Sequence, residues 1–481
     1  MSKRPNIVMF CTDHQRADYL GCAGHPLIKT PNLDRLAARG VRYENLFIQN
    51  TVCMPSRASI LTGTYPCRHG VTSNGYNLTS NSRTVADTLH DAGYHTMAVG
   101  RTHLVCTRPR PDYPKSGFFG FDQCTHAQVY CGDTDPYNDY LAWIKEEHPE
   151  YYEEIAFCNR RPSQDMFGAH TEVPEELSMN SWVVGRSLDF IKEHSDKKND
   201  QPFFLWAGTW DPHSPYRAPE PWGSMYDPKD IPIPVKSLEE LEGYPSELKR
   251  LAQTEFSRNP EVPIDEAIKK SVAMYMGMVS HIDDQLGRLI DGLENMGILD
   301  DTIILFTSDH GDMLGEHWFL AKILYFYDGV LKVPGIVAGP GIPQGKCLDG
   351  LAETVDLVPT LLDLAGVEIP TTVQGKSWLP ILNGENKVLH NEAYTEHQYF
   401  AYPENEPMNE HVFSIFDGRY RIVYFKGRTY GQLFDLEKDP DSLVNQWDNP
   451  EYAEVRARLE KQLMNRVMDN LTRYDARQDY W

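Results

Sequence analysis

"TIILFTSDHG", residues 302–311, sets an apolar run, Ile303 to Phe306, directly against Ser308, Asp309 and His310. A run this short, bounded by polar residues, reads as a buried strand. "NIVMFCT" (6–12) has the same grammar and leads into Asp13 and His14, and "PFFLWAGT" (202–209) leads into Asp211 and His213. Helical segments alternate with these strands. "TPNLDRLAARG" (30–40) predicts a helix with Thr30 as N-cap, Pro31 in the first position and Gly40 as terminator. "TVADTLHDAG" precedes the strand "YHTMAVG", and "SWVVGRSLDFIKEH" precedes "PFFLWAGT". From about residue 267 to 296 a longer helix places Ile282, Leu286, Leu289, Ile290 and Leu293 on one face. "VPGIVAG" and "TVDLVPTLLDLAG" add a strand and a helix. Such alternation implies an α/β fold with a mostly parallel sheet sandwiched by helices. Ligands of such sheets bind beyond the carboxyl ends of strands. Asp13, His14, Asp211, His213, Asp309 and His310 all stand at such ends.

The pattern changes after about residue 390. "HVFSIFDGRYRIVYFKG" and "GQLFDLEKDP" read as an antiparallel meander with Asp-Gly and Lys-Gly turns, followed by an amphipathic helix near 450–470. The expected organisation is therefore a catalytic α/β domain, 1–385, and a smaller C-terminal α+β subdomain with an antiparallel sheet, 386–481. Pro- and Tyr-rich stretches at 107–176 and 212–264 read as insertions over the strand ends, where lids lie. Trp143, Tyr151, Tyr152 and Trp222 within them, and Trp210 just before the second, can stack on a ring or pack the lids themselves.

Composition excludes several classes. The 481 residues carry a net charge of −23, which argues against nucleic-acid binding. No stretch approaches the roughly 18 to 20 apolar residues of a membrane span. The apolar run Ile7 to Cys11 is too short for a secretory signal core, so a cytoplasmic protein is expected. Nine cysteines, an odd number with no C-x-x-C pair, suit a reduced compartment.

One cysteine invites a chemical reading. In "TVCMPSRASILTG" (51–63), Pro55 and Ser56 suit a helix start and Gly63 a helix end, so Cys53 falls where amides and dipole favour an anion. The same setting favours a reactive thiol.

The C-x-P-S-R element, followed by "ASILTG" and "R-H-G", resembles the sulfatase family of the alkaline-phosphatase-like superfamily. The resemblance runs through "TPNLDRLAARG", "AVGRTHL", "DPHSPY", "IDDQLGRLID", "FTSDHGDMLGEH", "VDLVPTLLDLAG" and "LFDLEKDP", nearly the whole chain. It implies a sulfuric ester hydrolase in which a maturation enzyme converts Cys53 to formylglycine. The hydrated aldehyde attacks sulfur and then expels sulfate by re-forming the carbonyl. It further implies a divalent metal held by Asp13, Asp309, His310 and the modified Cys53, with His14 at a further ligand position. Arg57 and Lys322, in "FLAKILYFYD", match residues that contact sulfate and nucleophile. His213 matches the acid that protonates the leaving oxygen, Arg101 and His103 match a pair beside the diol, and Asn74 is a weaker substrate-contact candidate.

Two positions depart from the family pattern. Arg101 stands where relatives have lysine, and His14 stands where many have Asp or Gln. An imidazole prefers softer first-row metals than calcium does, so either His14 points away, or it binds and shifts preference from calcium toward manganese or zinc. The expected substrate is a small aryl, alkyl or sugar sulfate ester. A phosphonate monoester or phosphodiester hydrolase using the same site is the alternative, a catalytically silent binding protein of the same fold is a third, and a homo-oligomer is compatible with all of them.

Overall fold

The computed structural model describes residues 4–106, 118–128, 137–156, 168–169, 171–197, 200–246, 248–249, 252, 263–322, 326–385, 388–401 and 408–471. Cys131, Cys158 and parts of both expected lids lie outside these. The main sheet has eight strands: β1 (Asn6–Thr12), β2 (Gly40–Phe47), β3 (His95–Gly100), β4 (Gln123–His126), β5 (Phe203–Gly208), β6 (Thr302–Ser308), β7 (Lys332–Ala338) and β8 (Lys346–Glu353). Their order is β4-β3-β5-β1-β6-β7-β2-β8. All neighbours are parallel except that β7 runs opposite to both β6 and β2. β1, β2, β3, β5 and β6 therefore end on one edge.

The central strands are buried on both faces, and the pleat divides the core in two. Ile7, Met9 and Cys11 of β1 belong to one apolar cluster with Ile303 and Leu305 of β6, while Val8 and Phe10 belong to the other with Ile304 and Phe306. Period-two alternation sends successive side chains to opposite faces. Helices cover each face. On the first lie α2 (Cys53–Thr62), α3 (Val85–Asp91) and α6 (Leu357–Leu364); on the second lie α1 (Pro31–Ala38), α4 (Met179–Asp196) and α5 (Ile264–Asn295). The α5 face expected from the sequence, Ile282 through Leu293, is fully buried.

The start of α1 departs from expectation. Thr30 occupies the N-cap position, but its hydroxyl accepts from the Gly21 amide and donates to Asp34 instead of bonding a helix amide. The free amides of Asn32 and Leu33 go to the carboxylate of Asp283, on α5, at 3.1 and 2.7 Å. The cap is thus supplied by another helix. Gly40 likewise is the first residue of β2, not a helix terminator. A Cβ there would sit 2.1 Å from the Val337 carbonyl oxygen of β7, so the strand approach itself requires glycine.

The C-terminal sheet has four antiparallel strands, β9 (Ala393–Ala401), β10 (Met408–Phe416), β11 (Tyr420–Phe425) and β12 (Gly431–Asp435), in the order β12-β11-β10-β9. The meander of β10 to β12 matches the sequence reading; β9 is an addition. Val412, Phe416, Val423, Phe425 and Phe434 join the same apolar cluster as Ile7 of β1, so this sheet shares a core with the main one. The last helix, α7 (Ala453–Leu471), docks through Arg466, whose Nη2 lies 2.8 Å from buried Glu353 at the end of β8. No described helix is long and apolar enough to cross a membrane.

Gly40→Ala should therefore lower the melting temperature by an amount equivalent to about 1–3 kcal/mol of overpacking. Gly185→Ala, inside α4 with nothing within 4 Å of the added Cβ, should instead raise stability by roughly 0.5–1 kcal/mol. Thermal denaturation of the two variants checks both signs, and equal shifts would contradict the close-approach account of Gly40.

Candidate active site

The carboxyl edge of the sheet gathers the predicted residues. Asp13 follows β1, Asp309 and His310 follow β6, Arg101 and His103 follow β3, and His213 follows β5. Cys53 opens α2 just beyond β2, with Val52 as the extended N-cap residue and Gly63 closing the helix at φ 66°, a left-handed conformation glycine adopts without strain. The oxygen of Asn74, a sequence candidate for substrate contact, accepts the Met54 amide at 2.9 Å and so holds this helix start.

At the centre lies a charged cluster without solvent exposure: Asp13, Arg57, Asp309 and His310 are each 0 % exposed. Arg57 spends its donors on protein acceptors. Nε donates to Asp309 Oδ2 at 2.7 Å, Nη1 to the Arg101 carbonyl at 2.7 Å, and Nη2 to the Thr12 carbonyl and Asp13 Oδ2, both at 3.1 Å. Arg101 Nη1 lies 3.0 Å from Asp13 Oδ2, its Nη2 meets His103 Nδ1 at 2.7 Å, and its guanidinium stacks 4.0 Å from the Trp210 ring centre. Burial works against the Asp13 carboxylate, yet Arg101, Lys322 and Arg57 together hold its pKa well below the ordinary range.

The imidazoles are neutral near pH 7 for the same reason that the carboxylates need partners. Burial pushes His310 down to about 4, and burial with nearby cations takes His103 well below its usual value and lowers His213. His310 Nδ1 lies 2.9 Å from the Gly311 carbonyl and so carries the proton donated there, which leaves a bare lone pair on Nε2. That lone pair faces Asp13 Oδ1 at 3.7 Å, Asp309 Oδ1 at 3.6 Å and Cys53 Sγ at 3.4 Å. Acceptors aimed at one another in a buried space call for a cation. The four donor atoms of Asp13, Cys53, Asp309 and His310 lie within 4.8 Å of one another, a set that fits one metal ion.

Toward the cleft the side chains become partly accessible. Lys322 is 8 % exposed, and its Nζ approaches Cys53 Sγ at 2.9 Å. His213 donates Nδ1–H to the Ser214 carbonyl at 2.5 Å, and its ring packs 4.6 Å from Trp210 and 3.9 Å from His14. His14, at φ 66°, sets its ring between Asp312 and Lys322. Asp312 and Tyr216 escaped the sequence reading. Asp312 stands within "FTSDHGDMLGEH", three residues past Asp309, but nothing in that spacing shows which ring it meets. Of the expected lid aromatics, Trp210 lines the site, whereas Trp143 packs against Tyr140 and His148, and Trp222 against His281.

Comparison with known proteins agrees with this architecture. Residues 5–367 match the Sulfatase family, and residues 315–469 match the family described as N-sulphoglucosamine sulphohydrolase, C-terminal. An arylsulfatase of Clostridium perfringens is 32% identical, covering 96% of this chain and 94% of its own. A multifunctional alkaline phosphatase superfamily protein of Trinickia caryophylli is 30% identical over 94% of this chain and 92% of its own. Among solved structures, the phosphonate monoester hydrolase of Agrobacterium radiobacter superposes with a TM-score of 0.80 at 26% identity, covering 97% of this chain and 96% of that one. The chain belongs to the sulfatase family, hydrolases of the alkaline-phosphatase-like superfamily.

Because Arg57 is the shared partner of two buried carboxylates, its removal deprives Asp309 of its arginine partner and leaves Asp13 with Arg101 in place of two arginines. Arg57→Met should cost about 3–5 kcal/mol. Chemical denaturation should therefore show a lower midpoint for Arg57→Met than for Lys322→Ala, whose side chain reaches the cleft. An unchanged midpoint in Arg57→Met would show that the carboxylates do not depend on it.

Proposed function

We propose that this chain hydrolyses sulfate monoesters at Cys53, matured to formylglycine, beside a divalent cation held by Asp13, Asp309 and His310. The observation that carries this reading is the bare His310 Nε2 facing two carboxylate oxygens and Cys53 Sγ, with Lys322 Nζ 2.9 Å from that sulfur. The cation, when bound, supplies Lewis-acid polarisation and charge neutralisation at the nucleophile, and the hydrated aldehyde supplies an oxygen nucleophile able to release sulfate by re-forming its carbonyl. The two carboxylates offer hard oxygen donors that suit calcium, and the imidazole admits manganese or zinc.

The chain's own groups bind, orient and move protons. Arg57 holds Asp13 and Asp309 in register, and because its donors already meet protein acceptors, it acts on a bound sulfate through charge. Lys322 and His103 line the more accessible side, with Arg101 buried behind them, and the three can bond the equatorial oxygens as negative charge grows on them. Arg101 Nε is buried and meets no acceptor among the described residues, which leaves a donor for such an oxygen. His213 has its Nδ1–H committed to Ser214, so Nε2 is the nitrogen left to face the leaving oxygen. In the neutral ring that burial and Lys322 favour, Nε2 is an acceptor, so His213 delivers a proton only after Nε2 has taken one up, and the same surroundings then favour its release. The substrate is a small aryl, alkyl or sugar sulfate, with the Trp210 indole forming one wall beside Arg101 and His213.

Steady-state assays on an aryl sulfate and a phenylphosphonate ester test the reaction. Faster sulfate cleavage is expected, and faster phosphonate cleavage would favour the alternative hydrolase. Lys322→Ala should lower kcat roughly 10²- to 10³-fold, the loss typical of one donor to transition-state charge. Peptide mass spectrometry should find the aldehyde at Cys53 in protein from a maturation-competent host; full activity with an unmodified thiol would overturn the role given to Cys53.

A further inference from the structure

His14 has both ring nitrogens committed inside the protein. Nδ1 lies 2.7 Å from Asp312 Oδ2, and Nε2 lies 2.5 Å from Lys322 Nζ. Which nitrogen carries the proton follows from counting donors around Asp312. Its Oδ1 accepts the backbone amides of Leu314 and Ala321 at 3.0 and 2.9 Å, and its Oδ2 also meets the Tyr216 hydroxyl at 3.0 Å. Amides can only donate, and a buried carboxylate surrounded by donors is satisfied as an acceptor. His14 Nδ1 must therefore be the N–H, and Nε2 the acceptor that takes a hydrogen from Lys322.

The backbone holds the ring in that pose. The His14 amide donates to Asp309 Oδ1 at 3.3 Å, and its carbonyl accepts the Tyr275 hydroxyl at 2.8 Å, which in turn accepts the Arg16 amide at 2.9 Å. This clamp maintains a left-handed φ of 66°, a conformation unfavourable to any residue with a Cβ and kept only where the surroundings enforce it. Asp312 also binds both ends of the arrangement. One oxygen orients the His14 ring, and the other fixes the amide of Ala321, the residue immediately before Lys322.

We propose that His14 is a positioning residue for Lys322 and not a ligand of the cation. Held by Asp312, it receives one N–H of the lysine and directs a second to the Cys53 side chain. This deepens the proposed function and rests on it. A lysine stem has four rotatable bonds, so an acceptor that fixes the amine before substrate arrives removes much of the ordering cost. Two of the three N–H groups are then spent, on His14 and Cys53, and the third is left for an oxygen of the substrate. The cation keeps Asp13, Asp309, His310 and the Cys53 position. The rival arrangement, an ion among Asp13, His14 and His213, whose ligand atoms also lie within 4.8 Å of one another, would require His14 Nε2 to surrender Lys322.

Two measurements on the full chain test the assignment. In Mn2+ titrations, His14→Ala should bind the ion as wild type does, whereas Asp309→Asn should bind it at least about tenfold more weakly; equal weakening in both variants would overturn the proposal. In steady-state assays, His14→Ala should lower kcat about 10- to 100-fold, as loss of an orienting partner does, but cause little further loss when Lys322 is already alanine. The same loss in both backgrounds would also overturn it. His14→Gln, whose amide can donate to Asp312 and accept from Lys322, should recover most of kcat, and no recovery beyond His14→Ala would count against the anchoring role. If His14→Ala does not fold, Asp312→Asn carries the same pair of expectations. A wild-type chain inert toward every sulfate ester would count against the proposed function alone, because the Mn2+ titrations would still decide whether His14 is a ligand.

Discussion

The arrangement depends on one buried guanidinium. Arg57 lies with no solvent exposure between Asp13 and Asp309, two carboxylates that end neighbouring strands. Two anions brought together in a space of low polarity repel strongly and are poorly solvated, so the strand ends could not converge without a cation between them. Arg57 suits this better than lysine would, because its planar fork reaches both carboxylates and two backbone carbonyls at once. With one oxygen of each carboxylate taken by arginine, the other oxygens are turned toward His310 and Cys53. The chemistry of the centre follows from this division of the carboxylates between framework and cleft.

The sheet supplies the geometry that makes the division workable. β1 sits between β5 and β6 with a residue-by-residue parallel register, so Thr12 stands opposite Ser308 and Asp13 follows level with Asp309. β2 joins the same edge only because β7 reverses direction between β6 and β2. One antiparallel strand in an otherwise parallel sheet thus brings the helix carrying Cys53 to the edge that carries Asp13, Asp309 and His310. Glycine at position 40 permits the close approach of β2 to β7 on which this depends.

From the buried carboxylates outward, the site passes from framework to function. Arg57, Asp13 and Asp309 are sealed, His310 and Cys53 border them, and Lys322, His103 and His213 meet the cleft. Neutral imidazoles in this gradient follow from burial, which disfavours imidazolium where several cations already crowd the space. Trp210 closes one side, its ring shared by the Arg101 guanidinium and the His213 imidazole. Such a wall orients both groups.

Much of this was legible in the linear chain, because the signals involved are local. Short apolar runs that end in acids and imidazoles mark strand ends, Pro55 in its first turn and Gly63 after its end mark the helix of Cys53, and the i, i+4 face of Ile282 and Leu286 marks a buried helix. The family resemblance likewise pointed to Asp309, His310, Arg57 and Lys322, and all of them meet at one edge. What the sequence could not carry were pairings across long separations. That Asp283 caps α1 in place of Thr30, that β9 adds a fourth strand to the C-terminal sheet, and that Asp312 and Lys322 engage the two nitrogens of His14 are matters of which groups meet after folding. The sequence by itself determined the elements, their order and the residue types delivered to the strand ends, since periodicity and turn chemistry are local properties of the chain. Only the tertiary structure decided which donor faces which acceptor, because a hydrogen bond between residues some three hundred positions apart leaves no periodic trace and is selected by the need to satisfy every polar group buried from water.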